Sequence, residues 1–207
     1  MRGGRLVQFL ILLCALLVAI TGCDSPSTRN NTYDELKAQL QEGDLLFRRG
    51  TGVVGHIVTA MDSEGSFSHV GIIVRHDDGW CVIHAVPHEP DFEGDFDRVK
   101  CEAVESFLGR YPNGDYGLYR PAIAADKVAI AVRNARRLSD KQVRFDHNYD
   151  LTDTTELYCT ELIEYVYGLA GVSLSEGRRT EITFPIMAGS HIMPSDLTKS
   201  DMLTPIH

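Results

Sequence analysis

The longest apolar stretch of the chain is Leu6 to Ile20, 15 residues interrupted only by Gln8. Arg2 and Arg5 precede it, and Ile20-Thr21-Gly22-Cys23-Asp24 follows. A positive start, a short apolar run and small residues at its end are the layout of a secretory signal over 1–22. The run falls short of the roughly 20 residues needed to span a bilayer. Residues 24–32 (DSPSTRNNT) are polar and rich in chain breakers, as suits a flexible tether over 23–32.

Beyond the tether, periodicity takes over. Tyr33, Leu36 and Leu40 have helical spacing over Tyr33 to Gln41, Leu45-Leu46-Phe47 is a short strand, and Gly50 to Asp62 contains a second helix. Ser68 to Arg75 (SHVGIIVR) and Gly79 to Val86 (GWCVIHAV) are β-rich and meet through Asp77-Asp78-Gly79, a hairpin signal. Further strands are predicted over Arg98 to Ala103 and Gly117 to Arg120, and helices over Val104 to Gly109, Ala124 to Leu138 and Glu156 to Ala170. A helical flank, a run of antiparallel strands and then helices reads as an α+β fold, with one domain over 33–207 and no internal repeat.

Composition changes this picture only in its charge and its cysteines. The chain has 207 residues with 20 Lys plus Arg against 29 Asp plus Glu, a formal charge of −9. Without residues 1–22 the remaining 185 carry 18 basic against 29 acidic groups. Such a balance repels phosphates, and no Lys/Arg cluster interleaved with aromatics offsets it, so nucleic acid is excluded as a partner. Of the 5 Cys, Cys14 leaves with the signal and Cys23 lies at its end. Cys81, Cys101 and Cys159 remain, and an odd count leaves at least one thiol unpaired in an oxidising compartment. Cys81 and Cys101 lie on separate predicted strands and are candidates for a disulfide, although sequence alone does not settle cysteine pairing.

Candidate chemistry centres on the last predicted helix. Cys159, Leu162, Ile163, Val166, Tyr167 and Ala170 form one apolar stripe. Asp153, Thr154 and Thr155 are all possible N-caps, which places Cys159 in or just after the first turn, where free N–H groups favour a thiolate. A buried structural cysteine is the plain alternative. A nucleophile needs a base, and His69 and His84 lie in the two paired β-rich runs, on one face if the register sets them side by side. A metal site built from His84, His88 and Glu89, or from His69 and Asp62, lacks helical ligand spacing and any His-Glu-x-x-His pattern, so neither a metal nor another cofactor is expected.

Three resemblances add to this reading. The Ile20 to Cys23 segment resembles a bacterial lipobox, which implies that Cys23 is the first mature residue and carries a diacylglyceryl thioether and usually an acylated amine. Asp24 resembles an inner-membrane retention signal of some Gram-negative bacteria, and the location implied is a lipid-anchored protein of the envelope facing the periplasm. Gly43-Asp44-Leu45-Leu46-Phe47, Ser68-His69-Val70-Gly71-Ile72, Phe145-Asp146, Leu157-Tyr158-Cys159-Thr160-Glu161-Leu162 and Pro194-Ser195-Asp196-Leu197 resemble the permuted papain-like cysteine hydrolases of the NlpC-like superfamily, nearest the YiiX and YaeF type.

That resemblance implies a circularly permuted papain-like fold, an antiparallel sheet or barrel packed against helices. It makes Cys159 the nucleophile, His69 the general acid/base and His84 the orienting third residue, at a place where YiiX-type sequences commonly carry Glu. Tyr158 then lines the pocket or supports it by packing. The Asn-Cys-Glu-His signature of the lecithin:retinol acyltransferase branch is replaced by Tyr158-Cys159-Thr160-Glu161, which argues against that branch. Asp44 shapes the turn after Gly43, and Arg178 and Arg179 read as solvated loop charges. The expected function is a membrane-anchored amidase or peptidase acting on small peptides or cell-wall fragments. Lipid acyl hydrolysis or transfer through the same Cys-His pair and a non-catalytic envelope binding module are its rivals.

Overall fold

The computed structural model describes residues 26–206 except 51, 63, 78, 113–114 and 184–187, with side chains from residue 33 onward. The signal, Cys23 and Asp24 lie outside the described residues. Two compact units divide at Ala38. The described part of the first is helix α1 (Pro26–Gln39), which starts at Pro26 rather than at the expected Tyr33. Proline suits the first helical position, where its missing N–H has no intrahelical partner to lose.

The second unit, Gln39 to the end, is built on a six-stranded antiparallel sheet. Its strands are β1 (Leu45–Arg48), β2 (His69–His76), β3 (Gly79–Val86), β4 (Arg98–Ala103), β5 (Tyr116–Pro121) and β8 (Leu203–Ile206), in the spatial order β4-β3-β2-β1-β5-β8. The hairpin of β2 and β3 turns at Asp77, whose φ of 48° is left-handed, and pairs Ile72 with Ile83. A separate two-stranded sheet joins β6 (Thr180–Ile182) to β7 (Gly189–His191). Neither of these strands nor β8 was predicted, because runs of three or four residues are too short for alternation to show.

Five further helices complete the unit: α2 (Val53–Met61), α3 (Val104–Gly109), α4 (Ala125–Asp140), α5 (Cys159–Gly168) and α6 (Pro194–Thr198). Alternation along the strands sorts side chains onto two faces. One face carries Leu45, Phe47, Val70, Ile72, Val74, Ile83, Ala85 and Val99, all buried in one cluster with Leu162, Ile163, Val166 and Tyr167 of α5. The predicted stripe of α5 therefore packs on the sheet, and Ala131 and Ala135 of α4 join the same core. Gly43 sets up the entry to β1: its φ is +87°, and a Cβ there would lie 2.2 Å from Val128. Tyr167 anchors this turn from α5 by donating its hydroxyl to the Gly43 carbonyl at 2.6 Å.

Alternation also places Arg48, His69, His84, Lys100 and Glu102 on the other face, where all are buried. A buried polar layer demands partners for every group. α3 covers part of it, with Phe107 fully buried over β3 and β4.

Candidate active site

Cys159 is the first residue of α5, half-buried and free of any disulfide. The cap differs from expectation: Tyr158, not Asp153, Thr154 or Thr155, is the N-cap residue, and its N–H donates to Glu161 at 3.2 Å. Glu156, expected inside the helix, instead bridges Arg144, so α5 begins three residues later than its apolar pattern predicts. The cysteine consequently sits at the very end of the helix. The backbone N–H groups of Val70, Cys159 and Thr160 favour its thiolate form. The Val70 contact brings the thiol to the start of β2, one residue from His69.

His69 and His84 are not directly opposite. The register that pairs Ile72 with Ile83 continues to set Gly71 across from His84, and the two imidazoles meet diagonally, His69 Nε2 to His84 Nδ1 at 2.9 Å. Gly71 makes this possible, since a Cβ on it would lie 2.9 Å from the His84 Cβ and 2.9 Å from the Ile83 carbonyl. Phe107 floors both rings, at 5.7 Å from His69 and 5.1 Å from His84. With Nε2 of His69 engaged, Nδ1 is its remaining nitrogen.

The electrostatics depart from the thiolate expected at a helix N-terminus. Burial pushes the Cys159 thiol up to about 11, and the three amides and the Arg48 charge only partly oppose it. Burial likewise holds His69 well below the ordinary imidazole range, with Arg48, His84 and Lys100 acting in the same direction. Desolvation penalises both charged forms. Both shifts favour the neutral thiol and the neutral imidazole.

Arg48 was not singled out in the sequence. Its guanidinium lies 4.1 Å over the Phe107 ring, donates to the Phe107 carbonyl at 2.7 Å and pairs with Glu89. Lys100 is held by the Glu89 carbonyl at 2.7 Å and Asp91 at 2.6 Å. Glu102 was missed as well, although Arg98, Lys100 and Glu102 alternate with Val99 and Cys101 in a strand that both faces bury. It faces His84 Nε2 at 3.4 Å.

Other candidates resolve as framework. Tyr158 is buried, its hydroxyl accepts the Ile192 N–H at 3.0 Å and its ring packs on Tyr149. Thr160 reinforces the link by donating to the Ile192 carbonyl at 2.6 Å. Asp44 accepts from Gln41 N–H and from Arg120, Asp62 from Ser195 N–H, and Asp146 from the N–H groups of Asn148 and Asp150. Arg178 pairs with Glu176, and Arg179 donates to Ser175. Cys81 and Cys101 form a disulfide between β3 and β4, with their Cα atoms 5.8 Å apart. Among the described residues no group of three or more His, Cys, Asp or Glu is placed to hold a metal ion.

A Cys-bearing helix laid on a sheet that supplies an earlier histidine is the papain-like plan with the chain order permuted. Residues 39–207 match the model of the family described as permuted papain-like amidase enzymes, YaeF/YiiX, C92 family. The chain belongs to that family. Its members are thiol hydrolases of the amidase type, and the C92 match begins where the second unit begins, leaving α1 outside it. Among solved structures, the chain is similar to one described as the metalloprotein YiiX from Escherichia coli O157:H7, with a TM-score of 0.66 at 17% identity, over 82% of this chain and 97% of that one. At this identity the likeness shows the shared fold. No curated protein matches the C92 chain.

Proposed function

We propose that this amidase cleaves an amide bond in small peptides or cell-wall fragments, with Cys159 as nucleophile, His69 as general acid/base and His84 as the residue that orients His69. The observation that carries the reading is the half-buried free thiol of Cys159 at the start of α5, with the Val70 amide favouring its thiolate form, and the neighbour of Val70, a buried His69, meeting His84 through Nε2 at 2.9 Å. His69 Nδ1 takes the thiol proton as the sulfur attacks the carbonyl carbon, and the Cys159 N–H is placed to donate to the oxyanion. The tetrahedral adduct expels the amine, which leaves with the proton from His69, and a thioester remains. Water, deprotonated by His69, then attacks the thioester; the carboxylic acid leaves and the thiol recovers its proton.

The metal implied by the description of the E. coli protein does not fit this donor set, because His69 and His84 bond each other and the second nitrogen of His84 faces Glu102. No step is routed through a metal. Lipid anchorage at Cys23 would hold the enzyme at the periplasmic face of the membrane, near both peptidoglycan and lipid.

A second reading, hydrolysis or transfer of a lipid acyl group, is favoured by α2. This helix buries none of its residues, and Val53, Val54 and Ile57 are 77%, 38% and 42% exposed. It is tied at the His69 end of the sheet, where Gly50 N–H donates to Ser68 and Asp62 accepts from Ser195. The test is a Cys159→Ala comparison on peptide and ester substrates, with mass spectrometry of the Cys159 adduct after exposure to envelope extract. The amidase reading expects turnover to fall about ten-thousand-fold and a peptidyl adduct on the wild type. A fatty-acyl adduct selects the lipid reading, and unchanged turnover in Cys159→Ala removes both.

A further inference from the structure

His84 is fully buried, and each of its ring nitrogens faces one partner: Nδ1 meets His69, and Nε2 meets Glu102 at 3.4 Å. We propose that Glu102 is a positioning residue that sets the proton order of the site through His84, turning the lone pair of His69 Nδ1 toward the thiol. The inference rests on the Cys159-His69 reading above and extends it by one residue.

The logic is that of donors and acceptors. A neutral imidazole carries one N–H and one lone pair. An ionised carboxylate only accepts, so Glu102 selects the His84 tautomer protonated on Nε2. His84 Nδ1 is then an acceptor, and the 2.9 Å contact is satisfied when His69 carries its proton on Nε2. That leaves Nδ1 of His69 bare, the form a general base requires. Burial works to raise the Glu102 carboxyl, but the His84 ring, Arg110 donating to Oε1 at 2.7 Å, and Lys100 together hold it down at about 2. Arg110 engages Oε1 and leaves Oε2 facing His84 Nε2 at 3.4 Å, and among the described residues neither of these two atoms has a hydrogen-bond partner of ordinary geometry. Lys100 pairs with His84 in the strand register, yet its ammonium is turned away to Glu89 and Asp91.

The same arrangement acts when His69 accepts the thiol proton. The imidazolium then donates from Nε2 to His84, and the Glu102 charge offsets the field of Arg48, which opposes that cation. A second imidazole in the third position thus still ends on a carboxylate, supplied from the neighbouring strand.

The experiment compares Glu102→Gln with Arg110→Gln in the full chain. Glu102→Gln offers an amide donor to His84 Nε2 and so favours the opposite tautomers. The expected result is a loss of about ten- to a thousand-fold in kcat, little change in KM, and an acid limb of the pH profile moved to lower pH, as a loss of negative charge near His69 dictates. Arg110→Gln removes one of the groups that hold Glu102 ionised but leaves its Oε2 facing His84, and is expected to move kcat and the acid limb far less than Glu102→Gln does. Ring-nitrogen NMR of a Cys159→Ser protein reads the tautomers without any turnover, so this result stands apart from the amidase reading. The proposal is overturned if His69 is protonated on Nδ1 there, if Glu102→Gln keeps the wild-type rate and profile, or if Arg110→Gln reproduces the full effect.

Discussion

Three backbone N–H groups surround the sulfur of Cys159, and still its thiol is raised to about 11. Desolvation therefore outweighs the helix terminus at this position, and the base is needed at the moment of attack. The expected consequence is a clear split in alkylation by iodoacetamide. In wild type the rate is already high at neutral pH and falls only when acid protonates His69, below the ordinary value of 6.5. In His69→Ala the rate is low at neutral pH and climbs as pH rises toward about 11. A wild-type acid limb above 6.5 overturns this assignment. Gly71 supports a second prediction: Gly71→Ala drives its methyl against His84 and the Ile83 carbonyl, so kcat falls more than tenfold while the disulfide still forms, as enzyme assay and thiol titration together will show. Cys159 and His69 are singled out in the sequence because Cys159 opens the apolar stripe of α5 and His69 is a polar ring in a β-rich run. Glu102 is not, because its partner lies a strand away and its meaning depends on a register that no local pattern contains.

At the scale of elements, α2 and α5 invite opposite expectations although both are apolar. Leu162 on α5 is fully buried, and Leu162→Ala is expected to cost about 2–5 kcal/mol in denaturant unfolding. Val54→Ala and Ile57→Ala on α2 are expected to stay within about 0.5 kcal/mol, because little surface leaves water there on folding. The disulfide between β3 and β4 closes a separation of 20 residues, and its loss in a Cys81→Ala/Cys101→Ala protein is expected to cost about 3 kcal/mol. The hairpin of β2 and β3 is readable from Asp77-Asp78-Gly79 and the runs on either side. The first turn of α5 is misplaced by the pattern because Glu156 is drawn into a bridge with Arg144, a tertiary contact that local helical periodicity does not report.

At the scale of the whole molecule, the anchor proposed at Cys23 would keep the acidic domain near the membrane by covalent attachment rather than by charge, since 18 basic against 29 acidic groups beyond residue 22 oppose anionic lipid. Cys23→Ser is expected to shift the protein from the membrane to the soluble envelope fraction, read by cell fractionation. The order of the permuted chain has a further consequence. All four sheet residues around the catalytic centre, Arg48, His69, His84 and Glu102, are synthesised before Cys159, which follows His69 by 90 positions. A chain that ends between residues 102 and 158 contains His69, His84 and Glu102 but lacks Cys159. On the proposed mechanism such incomplete products have no nucleophile and are inert.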